Sequence, residues 1–299
     1  MYFGIDIGGT SIKYGIVDEE LNIIEKYSVP TERASEEALL EQLCEIALSM
    51  AKKHPFDYIG IGAPGYVNDT TGIISGSGNT PFKNTNVKAY VEHKTGKKVI
   101  LGNDANCAAL GEYLKSDGSV SDSVMLTLGT GVGGGIILNK KLYTGSCGVA
   151  GELGHMAIVY GGLECCCGRR GCLEQYASAT ALIRMTKAEI KNGESLMACE
   201  MKDKIDTVDG RTVFDYVKKG CNGADKVLKE YTDYLVYGME NIIDILNPNE
   251  IILAGGITGD KDLLMEYINK SFSKRCKIRI AVLKNDAGLF GAAMLGYER

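Results

Sequence analysis

The chain has 299 residues, 45% of them hydrophobic, and a formal net charge of -5 at pH 7. That length holds a large buried core and room for two domains, while the mild acidity, with no basic run or basic-aromatic interleaving, excludes a nucleic-acid surface. No apolar run approaches the roughly 20 residues of a membrane span, and the opening residues leave no space for a secretion signal, so we expect a cytoplasmic protein with no membrane partner and with reduced cysteines.

In chain order, residues 2 to 7, 11 to 17 and 21 to 29 read as three short strands joined by tight turns. The first turn is Asp6-Ile-Gly-Gly-Thr-Ser-Ile-Lys13. A glycine pair there lets backbone N–H groups converge on an anion, Thr10 and Ser11 add hydroxyl donors, and Asp6 at a strand end suits Mg2+ held through water. A plain glycine hairpin fits this motif equally well.

Residues 35 to 54 carry apolar side chains at helical spacing, at Leu39, Leu43, Ile46, Ala47 and Met50, and stop before Pro55. A buried strand follows at 58 to 61. Residues 72 to 87 are rich in Gly, Ser, Asn and Thr without a period, which predicts a long functional loop with Asn79 and Phe82 facing a ligand. A strand at 98 to 101 then runs into Gly102-Asn-Asp-Ala-Asn106. Asp104 stands where that strand ends and an Ala-rich helix begins. It fits a helix N-cap, and it equally fits a general base at the carboxyl end of a parallel strand.

From residue 123 the pattern begins again, with a strand at 124 to 128, the glycine turn Gly129-Thr-Gly-Val-Gly-Gly-Gly135 and a strand at 136 to 138. The echo of the first turn suggests duplicated domains facing one nucleotide across a cleft. Further on come helices at 175 to 191, 224 to 246 and 260 to 272, and strands at 250 to 253 and 278 to 283. The Ala254-Gly-Gly-Ile257 turn allows a flat base to approach the backbone, and a small-residue helix at 287 to 295 is expected to return to the first domain. Residues 192 to 210 are polar and give no clear pattern.

Between the second glycine turn and these helices lies the most specific motif. His155, Cys165, Cys167 and Cys172 have the spacing H-x9-C-x-C-x4-C among glycines and the charged Arg169 and Arg170. One imidazole and three thiolates are a closed tetrahedral zinc set, structural in kind. Cys166 is the spare, a competitor for the ion, although an i, i+2 pair closes more easily around one outward-facing residue. Cys44, Cys107, Cys147, Cys199, Cys221 and Cys276 are scattered and are expected to pack in the core. Glu152 and Glu174 bracket the loop. Taken singly they read as a loop charge and a helix first-turn charge; fixed by a metal, they become candidates for holding a polyhydroxylated ligand.

These motifs together resemble the ROK (repressor, open reading frame, kinase) sugar kinases of the actin-like and hexokinase-like ATPase superfamily. The likeness runs from Asp6-Ile-Gly-Gly-Thr10 through Gly102-Asn-Asp-Ala-Asn106, the second glycine turn and the metal loop to Ala254-Gly-Gly-Ile257. It implies an α/β fold of two duplicated actin-like/hexokinase-like (RNase H-like) domains around a central cleft. The expected division is 1 to 117, joined by the C-terminal helix at 286 to 299, and 118 to 285 with the zinc loop. It implies an ATP-dependent hexose kinase acting on the 6-hydroxyl, glucose first, with Asp104 as base. Gly65, Asn79, Asn103, Asp104, Glu152, His155 and Glu174 would hold the sugar, and His155 would also ligate zinc. Asp6, Gly8, Gly9, Thr10, Lys13, Gly129, Thr130, Gly131, Gly133, Gly255 and Gly256 would hold ATP with Mg2+. A homodimer is the family expectation.

Repressors of this family carry a winged-helix segment ahead of the kinase-like part. This chain opens on the first strand, so DNA binding is not expected. Glucokinase-like members carry an Asn-Leu…Trp pattern in the substrate loop, whereas here the loop reads Asn79-Thr-Pro-Phe82 and the chain has no tryptophan. Ala63-Pro-Gly-Tyr-Val-Asn68 and Lys284-Asn-Asp-Ala-Gly288 look like members acting on β-glucosides, which lack the zinc cysteines. A kinase for N-acylmannosamine, allose, fructose or a β-glucoside therefore stays open, as does a non-catalytic sugar sensor on the same scaffold, which Asp104 and the two phosphate turns argue against.

Overall fold

The computed structural model describes residues 1–76, 79–116, 119–273 and 276–297. Its strands are β1 (Tyr2–Ile7), β2 (Ser11–Val17), β3 (Ile23–Pro30), β4 (Tyr58–Ala63), β5 (Tyr66–Asn68), β6 (Ile73–Ser75), β7 (Thr85–Asn86), β8 (Lys98–Asn103), β9 (Ser123–Leu128), β10 (Val132–Leu138), β11 (Lys141–Leu142), β12 (Glu250–Ala254) and β13 (Lys277–Ile280). They form two five-stranded sheets, β3-β2-β1-β4-β8 and β11-β10-β9-β12-β13, and a small sheet β5-β6-β7. The chain divides into two compact units, Met1–Asp122 with Gly135–Gly151 and Val282–Arg299, and Ser123–Gly134 with Glu152–Ala281. The expected boundary at 117/118 lies outside the described residues.

In the first unit, β1 pairs antiparallel with β2 and parallel with β4, and β4 pairs parallel with β8. The alternation of β1 buries Phe3, Ile5 and Ile7 in the core. Register does the rest. Asp6 lies opposite Gly62 and Ala63 opposite Asn103, so Asp6 and the residue after Asn103 leave the sheet at the same edge, the carboxyl ends of the parallel strands where ligands of open α/β sheets bind.

The first helix, α1 (Glu36–Ala51), starts where Ser35 accepts the Ala38 amide at 3.0 Å and two acidic residues meet the positive end of the helix dipole. It buries the apolar stripe read from the sequence, Leu39, Leu43, Ala47 and Met50. The segment at 72 to 87 is less bare than expected, because β6 and β7 lie within it, and a further helix, α2 (Val87–Thr95), follows. Phe82 is 1% exposed and packs in the first core with Ile74 and Val87. This corrects its expected ligand-facing role: an aromatic ring finds more apolar surface in that core than at a polar loop.

The helices that complete the chain are α3 (Asp104–Leu114), α4 (Glu174–Ala177), α5 (Ala179–Asn192), α6 (Leu196–Met201), α7 (Thr212–Lys218), α8 (Asn222–Leu246), α9 (Lys261–Ser271) and α10 (Ala287–Ala293). The small residues of α10 let it come close to its neighbours. A Cβ at Gly291 would fall 1.6 Å from the Cys107 carbonyl oxygen of α3, a separation that only glycine permits. Buried Glu112 on α3 accepts the amides of Val282 and Leu283 at 2.9 and 2.6 Å, which fixes the approach to α10.

In the second unit, β12 pairs parallel with β9 and with β13. The long α8 buries Leu228, Tyr231, Leu235, Met239 and Ile242. Residues 192 to 210 hold α6 and a 3-10 turn. Of the scattered cysteines, Cys44, Cys107 and Cys221 are buried as expected, but Cys147 and Cys199 are exposed, so those two are surface thiols and not packing residues. No described helix is long and apolar enough to cross a membrane.

Candidate active site

In the first unit the turn after β1 is closed by the Gly8 amide donating to the Ser11 carbonyl at 3.0 Å. The Thr31 hydroxyl donates to the Gly8 carbonyl at 2.7 Å, a brace that the sequence did not flag. Asn79 lies against the same turn, since a Cβ at Gly9 would touch its Cβ at 3.2 Å. Asp6 and Lys13 are direct cross-strand partners, and the Lys13 amine donates to the Asn285 carbonyl at 2.8 Å.

Burial pushes the Asp6 carboxyl up to about 6, and the negative charge of Asp104 adds to the shift while Lys13 opposes it. Asp104 is raised as well, by burial, against the hydrogen bond from the Ala105 amide. The structure corrects one detail at this strand end. Asn103, not Asp104, is the N-cap of α3, and its Oδ1 accepts the Ala105 and Asn106 amides at 2.9 and 3.2 Å. Its Nδ2 donates to the Gly65 carbonyl at 3.1 Å. Asp104 is the first helical residue, and its Oδ1 accepts the Ala105 amide at 2.8 Å.

In the second unit, the loop after β9 and the turn after β12 leave adjacent parallel strands, with Ala254 opposite Thr127. Gly255 has φ 101, and a Cβ there would fall 2.3 Å from the Leu128 carbonyl oxygen. Gly256 opens into a 3-10 turn with open space around it. Within the loop, the Gly129 amide donates to the Gly131 carbonyl, the Gly133 amide to the Thr127 hydroxyl, and the Val132 amide to Glu174 Oε2, at 3.0, 3.1 and 3.1 Å.

The metal-loop residues are brought together. One ring nitrogen of His155 and the sulfurs of Cys165, Cys167 and Cys172 all lie within 4.8 Å of one another. Cys165 Sγ is 3.5 Å from His155 Nδ1, and Cys167 Sγ is 3.6 Å from Cys172 Sγ. Tetrahedral zinc bonds of about 2.3 Å to sulfur and 2.1 Å to nitrogen put such ligand atoms roughly 3.5 to 3.8 Å apart, so the side chains fit one tetrahedral ion. The backbone holds this shape through Cys165 N–H to Arg169 carbonyl and Leu173 N–H to Met156 carbonyl bonds, at 2.9 and 2.8 Å. The Arg169 amide brings the Cys167 thiol down to about 6, while burial pushes Cys172 up to about 12; a bound cation would hold both as thiolates. Glu152 Oε2 is 3.9 Å from His155 Nε2, so the ring has one edge among the thiols and the other at a carboxylate.

The sequence pattern of the ROK family matches residues 2–299. The chain belongs to the ROK family. It is 36% identical to a glucokinase of Streptomyces coelicolor over 309 residues, covering 99% of this chain and 97% of the relative. Among solved structures, a ROK family glucokinase from Streptomyces griseus, described in complex with glucose and AMPPNP, matches with a TM-score of 0.81 at 33% identity, covering 98% of each chain. A ROK hexokinase from Thermus thermophilus matches with a TM-score of 0.84 at 30% identity, covering 98% of this chain and 97% of that one.

Proposed function

We propose that this ROK chain is an ATP-dependent hexose kinase that transfers the γ-phosphoryl group to the 6-hydroxyl of a hexose, glucose being the first candidate. The observation that carries the reading is the strand end at Asn103 and Asp104. Asn103 caps the helix, and Asp104 stands beside it with a carboxyl raised by burial, which suits a base that must take a hydroxyl proton near neutral pH. The full-length likeness to glucokinases supports the same reading.

In phosphoryl transfer a protein mainly positions groups and offsets charge. Asp104 accepts the proton of the attacking hydroxyl. Asn79, Asn103, Glu152, His155 and Glu174 are assigned to hexose hydroxyls, and Gly65 to the backbone that seats Asn103. Gly8, Gly9, Thr10, Gly129, Thr130, Gly131 and Gly133 form the phosphate turns, in which the N–H groups of Gly9, Thr10, Thr130 and Gly131 meet the anion. Gly255 and Gly256 leave space for the base of the nucleotide. Asp6, with Lys13 as a neighbouring cation, would hold Mg2+, which would supply charge neutralisation to the transferred phosphate. His155, Cys165, Cys167 and Cys172 would hold zinc, which would give the loop its shape.

ADP release with a panel of hexoses, N-acylmannosamine and cellobiose tests the activity and ranks the acceptors. Asp104→Asn is expected to keep hexose binding and lose turnover. Near-normal ADP release by that variant would remove Asp104 from the role, and no ADP release by the unmodified protein with any acceptor would sink the kinase reading.

A further inference from the structure

Cys166 is the thiol that the four-ligand set does not use, and it is exposed. Its Sγ lies 3.7 Å from Glu174 Oε1, and Cys165 Sγ lies 3.8 Å from the same oxygen. The ligand atoms of Cys165, Cys166 and Glu174 all fall within 4.8 Å of one another. Zinc bonds of about 2.3 Å to sulfur and 2.1 Å to oxygen set the tetrahedral S···O separation at roughly 3.6 Å, close to both observed distances. The other carboxylate oxygen, Oε2, is turned away to accept the Val132 amide at 3.1 Å, so the carboxylate is held with Oε1 toward the thiols.

We infer that Cys165, Cys166 and Glu174 form a second site for a thiophilic divalent cation, next to the four-ligand zinc set and sharing Cys165 with it as a bridging thiolate. A thiolate has lone pairs for two metals, and soft ligands select zinc or cadmium over magnesium. The fourth position belongs to water, since Cys166 faces solvent. On binding, the Cys166 thiol gives its proton to bulk solvent and its sulfur becomes a thiolate ligand. The ion takes up Glu174 Oε1, and with the hexose role proposed for Glu174, on which this part of the inference rests, occupancy blocks that sugar contact. Zinc or cadmium above the first equivalent then inhibits in competition with hexose.

Metal content after equilibrium dialysis against Zn2+, and separately against Cd2+, tests the site. Two ions per chain in the unmodified protein and one in Cys166→Ser and in Glu174→Gln are expected. One ion in all three proteins, or two that survive Cys166→Ser, overturns the second site, whereas none in any of them overturns the four-ligand reading on which it leans. Circular dichroism of each variant checks that the fold is retained, and Cys199→Ser, which removes an exposed thiol elsewhere, is expected to keep two ions. In the kinase assay the inhibitory Zn2+ concentration is expected to rise at least tenfold in Cys166→Ser. Equal inhibition of both proteins overturns the regulatory consequence and leaves the binding measurement to decide the site.

Discussion

A Cβ atom placed on Gly288 falls 2.6 Å from Oδ2 of Asp6 and 2.7 Å from its Cγ. The first turn of α10 is thus hollowed to receive that carboxylate, and the neighbouring Asn285 carbonyl takes the Lys13 amine. Alanine suits a helix well, so Gly288→Ala should spare the helix and displace Asp6. Its kcat/KM for Mg·ATP should drop about tenfold or more, the equivalent of ~1.4 kcal/mol, while hexose binding and the unfolding midpoint stay close to those of the unmodified protein. In an Asp6→Asn background the same change should add little, because the two act on one group. Equal losses in both backgrounds would mean that Gly288 matters for packing alone.

Acid pH offers a second test of Asp6. With its carboxyl raised to about 6 by burial and by Asp104, protons compete with Mg2+ at that residue, so the Mg2+ concentration for half-maximal rate should climb as pH falls below about 6. Stability runs the opposite way. Between about pH 4 and 6 the native state binds the Asp6 proton more tightly than the unfolded chain does, so this group's stabilisation is complete below about 4 and is lost as pH rises through 6. Without Mg2+ and nucleotide, Asp6→Asn should therefore raise the unfolding midpoint near pH 8 and not near pH 4. A midpoint shift of the same size at both pH values would show that Asp6 is not raised.

How much of this was legible before the structure depends on whether a feature is local. The β1 and β2 strands, the α1 stripe and the H-x9-C-x-C-x4-C spacing each sit within a few turns of chain, and periodicity or spacing exposes them. The α2 helix was missed because only Val87 and Val91 of its nine residues are buried, too few to set a period. Asp104 fits the cap position in sequence because that residue type suits it, but Asn103 takes the position, with its Nδ2 also bonded to the Gly65 carbonyl, 38 residues away. The seat of Asp6 at Gly288 and the contact of Glu174 with Val132 join residues far apart in sequence, so no local pattern carries them.

Phe82 separates loop shape from substrate contact. It is fully buried in the first core, so Phe82→Ala should cost on the order of 3 to 5 kcal/mol and leave the ranking of hexoses unchanged. Denaturant unfolding and the acceptor panel together decide it. A changed ranking without loss of stability would return Phe82 to the ligand.

Glu174 joins the metal loop to the second glycine loop, because one of its oxygens faces the thiols of Cys165 and Cys166 and the other holds the Val132 amide. Loss of the zinc proposed for this loop should therefore be felt at both loops. Chelation removes that ion and Cys172→Ser removes one of the four groups proposed to hold it, and a structural zinc contributes directly to folding. The expected result is a lower unfolding midpoint together with a higher KM for hexose, through Glu152, His155 and Glu174, and a higher KM for ATP, through Val132. Glu174→Ala, which keeps the four metal ligands, should raise both KM values about tenfold while its zinc content stays at the level of the first site. If Glu174→Ala alters hexose KM alone, the Val132 contact does not shape the nucleotide loop. If chelation alters neither constant, the metal loop has no part in holding substrates.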